Sequence, residues 1–533
     1  MGARNWISGC SVWRVRWGGV SAALGRRAAA GLLAVVVVAA GTGCDALSDR
    51  GSDSRPPTSA KATNPPAGLP AAFTAGQRLN WSACPAPSAA QGGGDAPGGD
   101  WECATMKAPL DYRRPGRRAI DVALIRKRAT GPERKRIGSL VLNFGGPGVS
   151  GVMGLPEFAG DYASLGQRYD LVSFDPRGVG GTIPVNCGEK AYEGSDVCEK
   201  HSGRLLPYVG TAQTARDLDL MRYLLGDQKL NYFGVSYGTE LGGVYAHLFP
   251  KNVGRLVLEA PVDPTQNLLQ ENISQVKAVQ SAFDRFARHC ADAYDDCPTG
   301  SDPEQADQRV IELLDKLKKT PAATGGDEKL DGDLAAHAIS NYLDLGKEGW
   351  GPLVKALREV MEQGTGSKLM KKAYDHAPGA RALPRAGARS EPTGGNGTSA
   401  LVAITCADSN LRPGYTRAEQ WIKETEAASP VFGEAWSLSV YLCYDWPFHG
   451  ERATPDVSAD GAPAILVVAN TGDPTTPYAG AGHMVSELGE KVGVLLTVRA
   501  EGHGSYPQNQ CASRTVDTYL LDGTLPARDT TCS

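Results

Sequence analysis

Apolar and polar positions fall into short blocks from residue 119 onward. Residues 120–125, 139–144, 169–174, 230–235 and 255–259 are compact apolar runs bounded by Gly, Pro or charged residues, and each is expected to be a strand. Between the third and fourth runs, Ala215, Leu218, Met221 and Leu225 recur at helical spacing. Strands alternating with helices argue for a parallel sheet. The alternation stops at residues 267–425, which read as mostly helical with charged faces and a Gly/Pro/Arg-rich break at 378–399. Strand signals return at 463–469 and 493–498, and a helical pattern at 509–521 closes the chain. The pattern is that of one α/β domain interrupted by a helical insertion. Its core is expected at 81–264 and 456–533, and the insertion at 265–455. Entering after the fifth strand run, the insertion would lie over the C-terminal edge of the sheet, where such sheets bind ligands.

The N-terminal pattern is different. Arg14, Arg16, Arg26 and Arg27 precede an apolar run at 31–40 that is too short to span a bilayer. Residues 1–43 read as a signal peptide. Gly41-Thr42-Gly43-Cys44 resembles a bacterial lipobox, in which the Cys is acylated, although an aliphatic residue is usual at the position of Gly41. Cys44 is the expected lipidation site, and 44–80 the lipidated segment and flexible linker, rich in Ser, Pro, Ala and Gly to about residue 74. The chain is expected at the outer face of the cell membrane or free outside the cell.

Composition narrows this further. The chain has 533 residues with a formal net charge of −4, which argues against a nucleic-acid surface. Of its twelve cysteines, Cys10 falls in the signal and Cys44 at the anchor. The remaining ten fall as near neighbours, and sequential pairing is expected: Cys84 with Cys103, Cys187 with Cys198, Cys290 with Cys297, Cys406 with Cys443, and Cys511 with Cys532. Each such bridge contributes about 2–4 kcal/mol, less for the shorter loops. Ten thiols would be unusual in a reducing cytosol. No Cys-x-x-Cys or clustered His-Cys spacing suggests a metal.

Candidate chemistry centres on Gly234-Val235-Ser236-Tyr237-Gly238. The pentapeptide follows a strand pattern and precedes a helical one, as a nucleophile elbow requires. A serine hydroxyl needs a base. In hydrolases with this elbow, the acid and then the base follow the serine in the chain. His503 lies between flanking glycines just past the last strand run, and Asp473 follows the strand run before it. Asp473 also suits a turn or helix N-cap. Asp408 and Asp445 precede that strand and are weaker choices for the acid. His247 lies on the helix after the elbow, and His483 falls within or before a helix after Asp473. His201, His289, His337, His376 and His449 fall away from strand ends. Two N–H groups should hold the developing oxyanion. The expected donors are Tyr237, after the serine, and Gly146, in the loop Phe144-Gly145-Gly146-Pro147-Gly148.

Together with Asp175-Pro176-Arg177-Gly178-Val179-Gly180, Asn470-Thr471-Gly472-Asp473-Pro474-Thr475-Thr476-Pro477 and Gly502-His503-Gly504, these motifs occur in one order. The chain resembles the secreted tripeptidyl aminopeptidase branch of the proline iminopeptidase family, especially its lipid-anchored, mycelium-associated proteinases. The resemblance covers about residues 81–533, least clearly in the insertion. It implies an α/β-hydrolase fold with a helical cap, exopeptidase activity on peptides with a free N-terminus, and no metal or organic cofactor. A monomer is expected. Two departures stand out: Phe144 where His is usual, and Glu240 where the branch usually carries an aromatic residue. Glu240 would alter the charge of the pocket or face solvent. An aminopeptidase must also hold an α-ammonium group, for which Asp408, Glu434 and Glu259 are candidates. The alternatives to the peptidase are a carboxylesterase of the same fold and an inactive surface-binding lipoprotein.

Overall fold

The computed structural model describes residues 68–188, 195–374, 395–450 and 452–533. The expected signal peptide, Cys44 and the expected linker up to residue 67 lie outside it. The end of the expected linker is not a tether. Leu69 and Phe73 are buried in the main core, and Gln77 exchanges hydrogen bonds with the backbone of Lys107 at 2.7 and 3.1 Å. The two apolar side chains are four residues apart, one on the short helix Ala71–Thr74 and one just before it, and both pack into that core.

The described residues form a ten-stranded sheet. Seven strands precede the cap: β1 (Ser82–Ala83), β2 (Glu102–Pro109), β3 (Ala119–Lys127), β4 (Gly138–Asn143), β5 (Tyr169–Phe174), β6 (Leu230–Val235) and β7 (Val253–Glu259). The cap holds a small ribbon, β8 (Ala322–Ala323) and β9 (Lys329–Leu330). Three strands follow: β10 (Ile465–Gly472), β11 (Gly493–Glu501) and β12 (Thr531–Cys532). The sheet order is β1-β2-β3-β5-β4-β6-β7-β10-β11-β12.

From β5 to β12 the neighbours are parallel, and β1, β2, β3 and β5 pair antiparallel. Every residue of β4 and β5 is buried, as helices on both faces require. β2 alternates buried and exposed positions along part of its length, as an antiparallel strand with one wet face does.

Register places the functional ends side by side. Asn143 pairs with Gly234, Val235 with Glu259, and Glu259 with Val468. The C-terminal ends of β4, β6, β7 and β10 therefore open onto one edge.

The cap begins with the helix Leu268–Ala293. Asn267 and Gln270 form a capping box there, an N-terminal arrangement in which the cap alone is worth about 1 kcal/mol. Val276, Val279, Phe283, Phe286 and Cys290 form its buried stripe. They pack with Trp350, Phe432 and Trp436 into a core separate from the sheet's. The helix Gly397–Asp408 belongs elsewhere. Its Leu401, Val402 and Ile404 pack with Val179, Val185 and Tyr237 of the sheet domain. A Cβ on Gly148 would come within 2.4 Å of the Gly397 carbonyl oxygen, so glycine allows this contact.

The disulfides join Cys84 to Cys103, Cys187 to Cys198, Cys290 to Cys297, Cys406 to Cys443 and Cys511 to Cys532. Among the described residues, no helix is long and apolar enough to cross a membrane, and no group of three or more His, Cys, Asp or Glu could hold a metal ion.

Candidate active site

β6 ends at Val235, and the helix Tyr237–Leu248 starts two residues later. Ser236 sits at the turn with φ 57° and ψ −123°. A non-glycine residue in this region is strained and persists only where the surroundings hold it. The hold is visible. Ser236 N–H donates to the Glu259 backbone oxygen at 2.9 Å, and the Ser236 oxygen accepts from Thr239 N–H at 2.8 Å and Thr239 Oγ1 at 2.6 Å. The tight turn also needs its glycines. A Cβ on Gly234 would lie 2.4 Å from the Gly238 oxygen, and one on Gly238 would lie 2.8 Å from Asn143 Oδ1.

Asp473 follows β10 and His503 follows β11, and the two strand ends pair at Gly472 and Glu501. His503 Nδ1 lies 3.0 Å from both Asp473 carboxylate oxygens, and both side chains are 1% exposed. Asp473 Oδ1 also accepts from Thr475 N–H at 2.9 Å and Thr476 N–H at 2.8 Å, and Oδ2 from Thr476 Oγ1 at 3.0 Å. Asp473 is thus a turn residue and the partner of His503 at once. A carboxylate on Nδ1 favours the tautomer with the proton there, which leaves Nε2 unprotonated.

The His503 loop is anchored on three sides. Asn470 Nδ2 donates to the backbone oxygens of Gly502 and Gly504 at 2.8 and 2.6 Å. Glu259 Oε1 accepts from Ser505 and Tyr506 N–H at 2.7 and 2.8 Å. His503 N–H donates to the backbone oxygen of Asp344, in the cap, at 2.8 Å. Burial pushes the Glu259 carboxyl up to about 7 and that of Asp344 up to about 6. These anchors escape sequence reading because their partners are backbone groups.

Of the two expected oxyanion donors, Tyr237 begins the helix after Ser236. Gly146 has φ 101°, and Gly145 N–H is turned to Asn143 Oδ1 at 3.1 Å. The loop is held by Asp175, which accepts from Ser150 Oγ at 2.6 Å, Val152 N–H at 3.0 Å and Gly181 N–H at 2.7 Å. Gln91 donates to the same carboxylate at 3.0 Å. Arg177, of the same motif, is buried. It donates to both Asp217 oxygens and to the backbone oxygens of Pro109 and Leu110 at the end of β2.

A cavity of about 680 Å³ lies beside the elbow helix, with Pro147, Tyr237 and Glu240 in its wall but not Ser236, Asp473 or His503. Six carboxylates and four arginines line it, so its walls lean acidic. Glu240 is therefore a pocket residue. Of the ammonium candidates, only Asp408 lines the cavity, and it is already bonded to Thr211 through N–H and Oγ1, both at 2.7 Å. Glu434 pairs with Lys318 on the cap, and Glu259 lies beneath the elbow. Phe144 is a core residue, 5.3 Å from Phe158 between ring centroids.

Four of the other histidines contact groups away from Asp473. His247 meets Asp456 and Ser458, and His483 pairs with Asp263. His289 packs on Trp350, and His337 on Trp436. His376 lies outside the described residues. Asp445 is engaged with Ser195 through its backbone oxygen.

A parallel sheet, a strained serine at a strand-to-helix turn and a buried His–Asp pair define a serine hydrolase of the α/β-hydrolase fold. Residues 138–349 match the family described as alpha/beta hydrolase fold, and residues 429–532 the family described as TAP-like protein. The chain is 31% identical over 507 residues to "Serine protease Hip1" of Mycobacterium tuberculosis, covering 86% of this chain and 91% of that one. It is 28% identical over 506 residues to "Tripeptidyl aminopeptidase" of Streptomyces lividans, covering 88% and 89%. It is 30% identical over 464 residues to "Carboxylesterase B" of Mycobacterium tuberculosis, covering 81% and 86%. The chain belongs to this family of α/β-hydrolases with a TAP-like C-terminal region.

Proposed function

We propose that the protein is an exported serine exopeptidase that releases tripeptides from the free N-termini of peptides. The observation that carries the mechanism is the doubly contacted, buried His503–Asp473 pair beside the strained Ser236 elbow. Ser236 Oγ attacks the scissile carbonyl carbon while His503 Nε2 takes its proton. The tetrahedral oxyanion is held by the N–H groups of Tyr237 and Gly146. Such donors are worth about 2.7–4 kcal/mol each in comparable sites. The intermediate collapses as His503 gives the proton to the leaving amine. Water, deprotonated by His503, then resolves the acyl-enzyme. Asp473 fixes the tautomer and stabilises the imidazolium.

The exopeptidase reading is supported by likeness to a tripeptidyl aminopeptidase and by the acidic lean of the cavity at Tyr237, which suits a substrate ammonium. Ten cysteines in five disulfides support export. Lipidation at Cys44 would then tether a monomeric enzyme to the outer face of the membrane.

Likeness to a carboxylesterase favours a second reading, ester hydrolysis at the same site. Rates on a free tripeptidyl p-nitroanilide, its N-acetylated form and a simple p-nitrophenyl ester separate the two. The peptidase reading expects the free anilide to be cleaved far faster than the blocked one. Equal rates on both would remove the ammonium site from the account.

A further inference from the structure

Glu259 is the last residue of β7, and in register it lies between Val235 of β6 and Val468 of β10. It therefore sits between the strand that leads to Ser236 and the strand that leads to Asp473. Its two ends do different things. The backbone oxygen accepts Ser236 N–H at 2.9 Å, at the strained turn. The carboxyl Oε1 accepts Ser505 and Tyr506 N–H, two and three residues past His503. Glu259 is thus bonded to both the Ser236 turn and the His503 loop. The loop packs directly on the carboxyl: a Cβ on Gly504 would be 3.8 Å from Glu259 Cδ.

We propose that Glu259 is a positioning residue for the reaction, fixing the His503 loop against Ser236 and placing a negative charge beside the imidazolium as it forms. The inference rests on the reading of Ser236, His503 and Asp473 as a triad. The charged and titratable groups facing Glu259 are His503 and Asp473 on the neighbouring loops, with Tyr162 and Tyr506 beside them. Burial is the largest influence on the carboxyl and raises its pKa to about 7. The two backbone N–H bonds and His503 pull it back down, and Asp473 adds to the rise. Above that pH, its two N–H bonds are charge-assisted and its charge favours a protonated His503. A residue that merely anchored the loop would need no charge.

Glu259→Gln separates the two roles, because it keeps an oxygen acceptor of the same shape and removes the charge. The substrate is a p-nitrophenyl ester, which peptidase and esterase chemistry would both cleave. We expect kcat to fall about 10–100-fold with KM within about twofold. We also expect the loss to be greater above pH 7 than below it, because Glu259 carries its charge only above about pH 7. Wild-type kcat, or a loss that is the same on both sides of pH 7, overturns the proposal. Should the Gln variant not fold, Glu259→Asp decides. It keeps the charge but shortens the reach to Ser505 and Tyr506, so kcat must fall at unchanged KM, and a wild-type kcat overturns the proposal. Labelling of wild-type Ser236 by a fluorophosphonate keeps the two questions apart. No labelling sinks the triad reading, whereas labelling with an inert Glu259 substitution sinks only this inference.

Discussion

The backbone oxygen of Asp344, in the helical cap, accepts the N–H of His503 at 2.8 Å. The Asp344 side chain also takes a hydrogen bond from Thr475 Oγ1 at 2.6 Å, in the loop of Asp473. One cap residue thus touches both loops of the site. The next turn of the cap presses on the end of β11, since Gly346 has φ 61° and a Cβ there would lie 2.3 Å from the Glu501 oxygen. Gly346→Ala should therefore push the cap edge off the His503 loop. A misplacement of about 1 Å can lower rates about a hundredfold. We expect kcat to fall about 10–100-fold while circular dichroism stays native. Wild-type kcat would show that cap docking does not set the position of the base.

Asp473→Asn tests the His503 tautomer. The Asn oxygen can still accept from Thr475 and Thr476 N–H, so the loop should keep its shape. Its NH2 group would then face His503 Nδ1 and force the proton onto Nε2, the nitrogen that takes the serine proton in the proposed triad. The expected outcome is a loss of kcat of about ten-thousandfold with little change in melting temperature. Ser236→Ala should lose about a millionfold. A mild effect of either substitution in ester and anilide assays would contradict the triad.

His337 makes a pH prediction in the cap. Its ring lies 4.3 Å from that of Trp436, and burial pushes the imidazole down to about 4, from 6.5. The folded state therefore binds fewer protons than the unfolded state in this window. The contribution of His337 to stability is present above pH 6.5 and is lost as pH falls towards 4. The residue keeps some solvent contact, so the effect is discounted to about 1–2 kcal/mol. His337→Phe should lose less stability than wild type between those two pH values, in denaturant titrations. Parallel curves would assign the pH dependence elsewhere.

Legibility followed the kind of group involved. The strand before Ser236 is a buried parallel strand, a continuous apolar run that needs no partner to be recognised. Asp473 and His503 stand just past strand ends, and their side chains announce their chemistry. β2 escaped notice because its pattern is broken by Cys103, Lys107 and Pro109, and its pairing is antiparallel. Glu259 and Asp344 were illegible for another reason. Glu259 grips N–H groups 246 and 247 residues away, and Asp344 offers His503 a backbone oxygen. Any residue type carries those groups, so nothing in the sequence marks them. Leu69 and Phe73 were hidden by the Pro- and Ser-rich composition around them, although both pack into the main core.

Glu240 carries the prediction closest to substrate choice. It lies in the first turn of the helix after Ser236 and in the wall of the acidic cavity. A substrate ammonium entering beside Tyr237 would meet Glu240 in a partly desolvated setting, where a hydrogen bond to a charged group is worth about 1.5–3 kcal/mol. Glu240→Gln should therefore raise KM for a free tripeptidyl p-nitroanilide about 10–100-fold. A p-nitrophenyl ester without an amine has nothing to lose there, and its KM should stay within about twofold. If both substrates weaken together, Glu240 shapes the pocket without reading the ammonium. If neither does, the amine is held by another part of the cavity or by the cap.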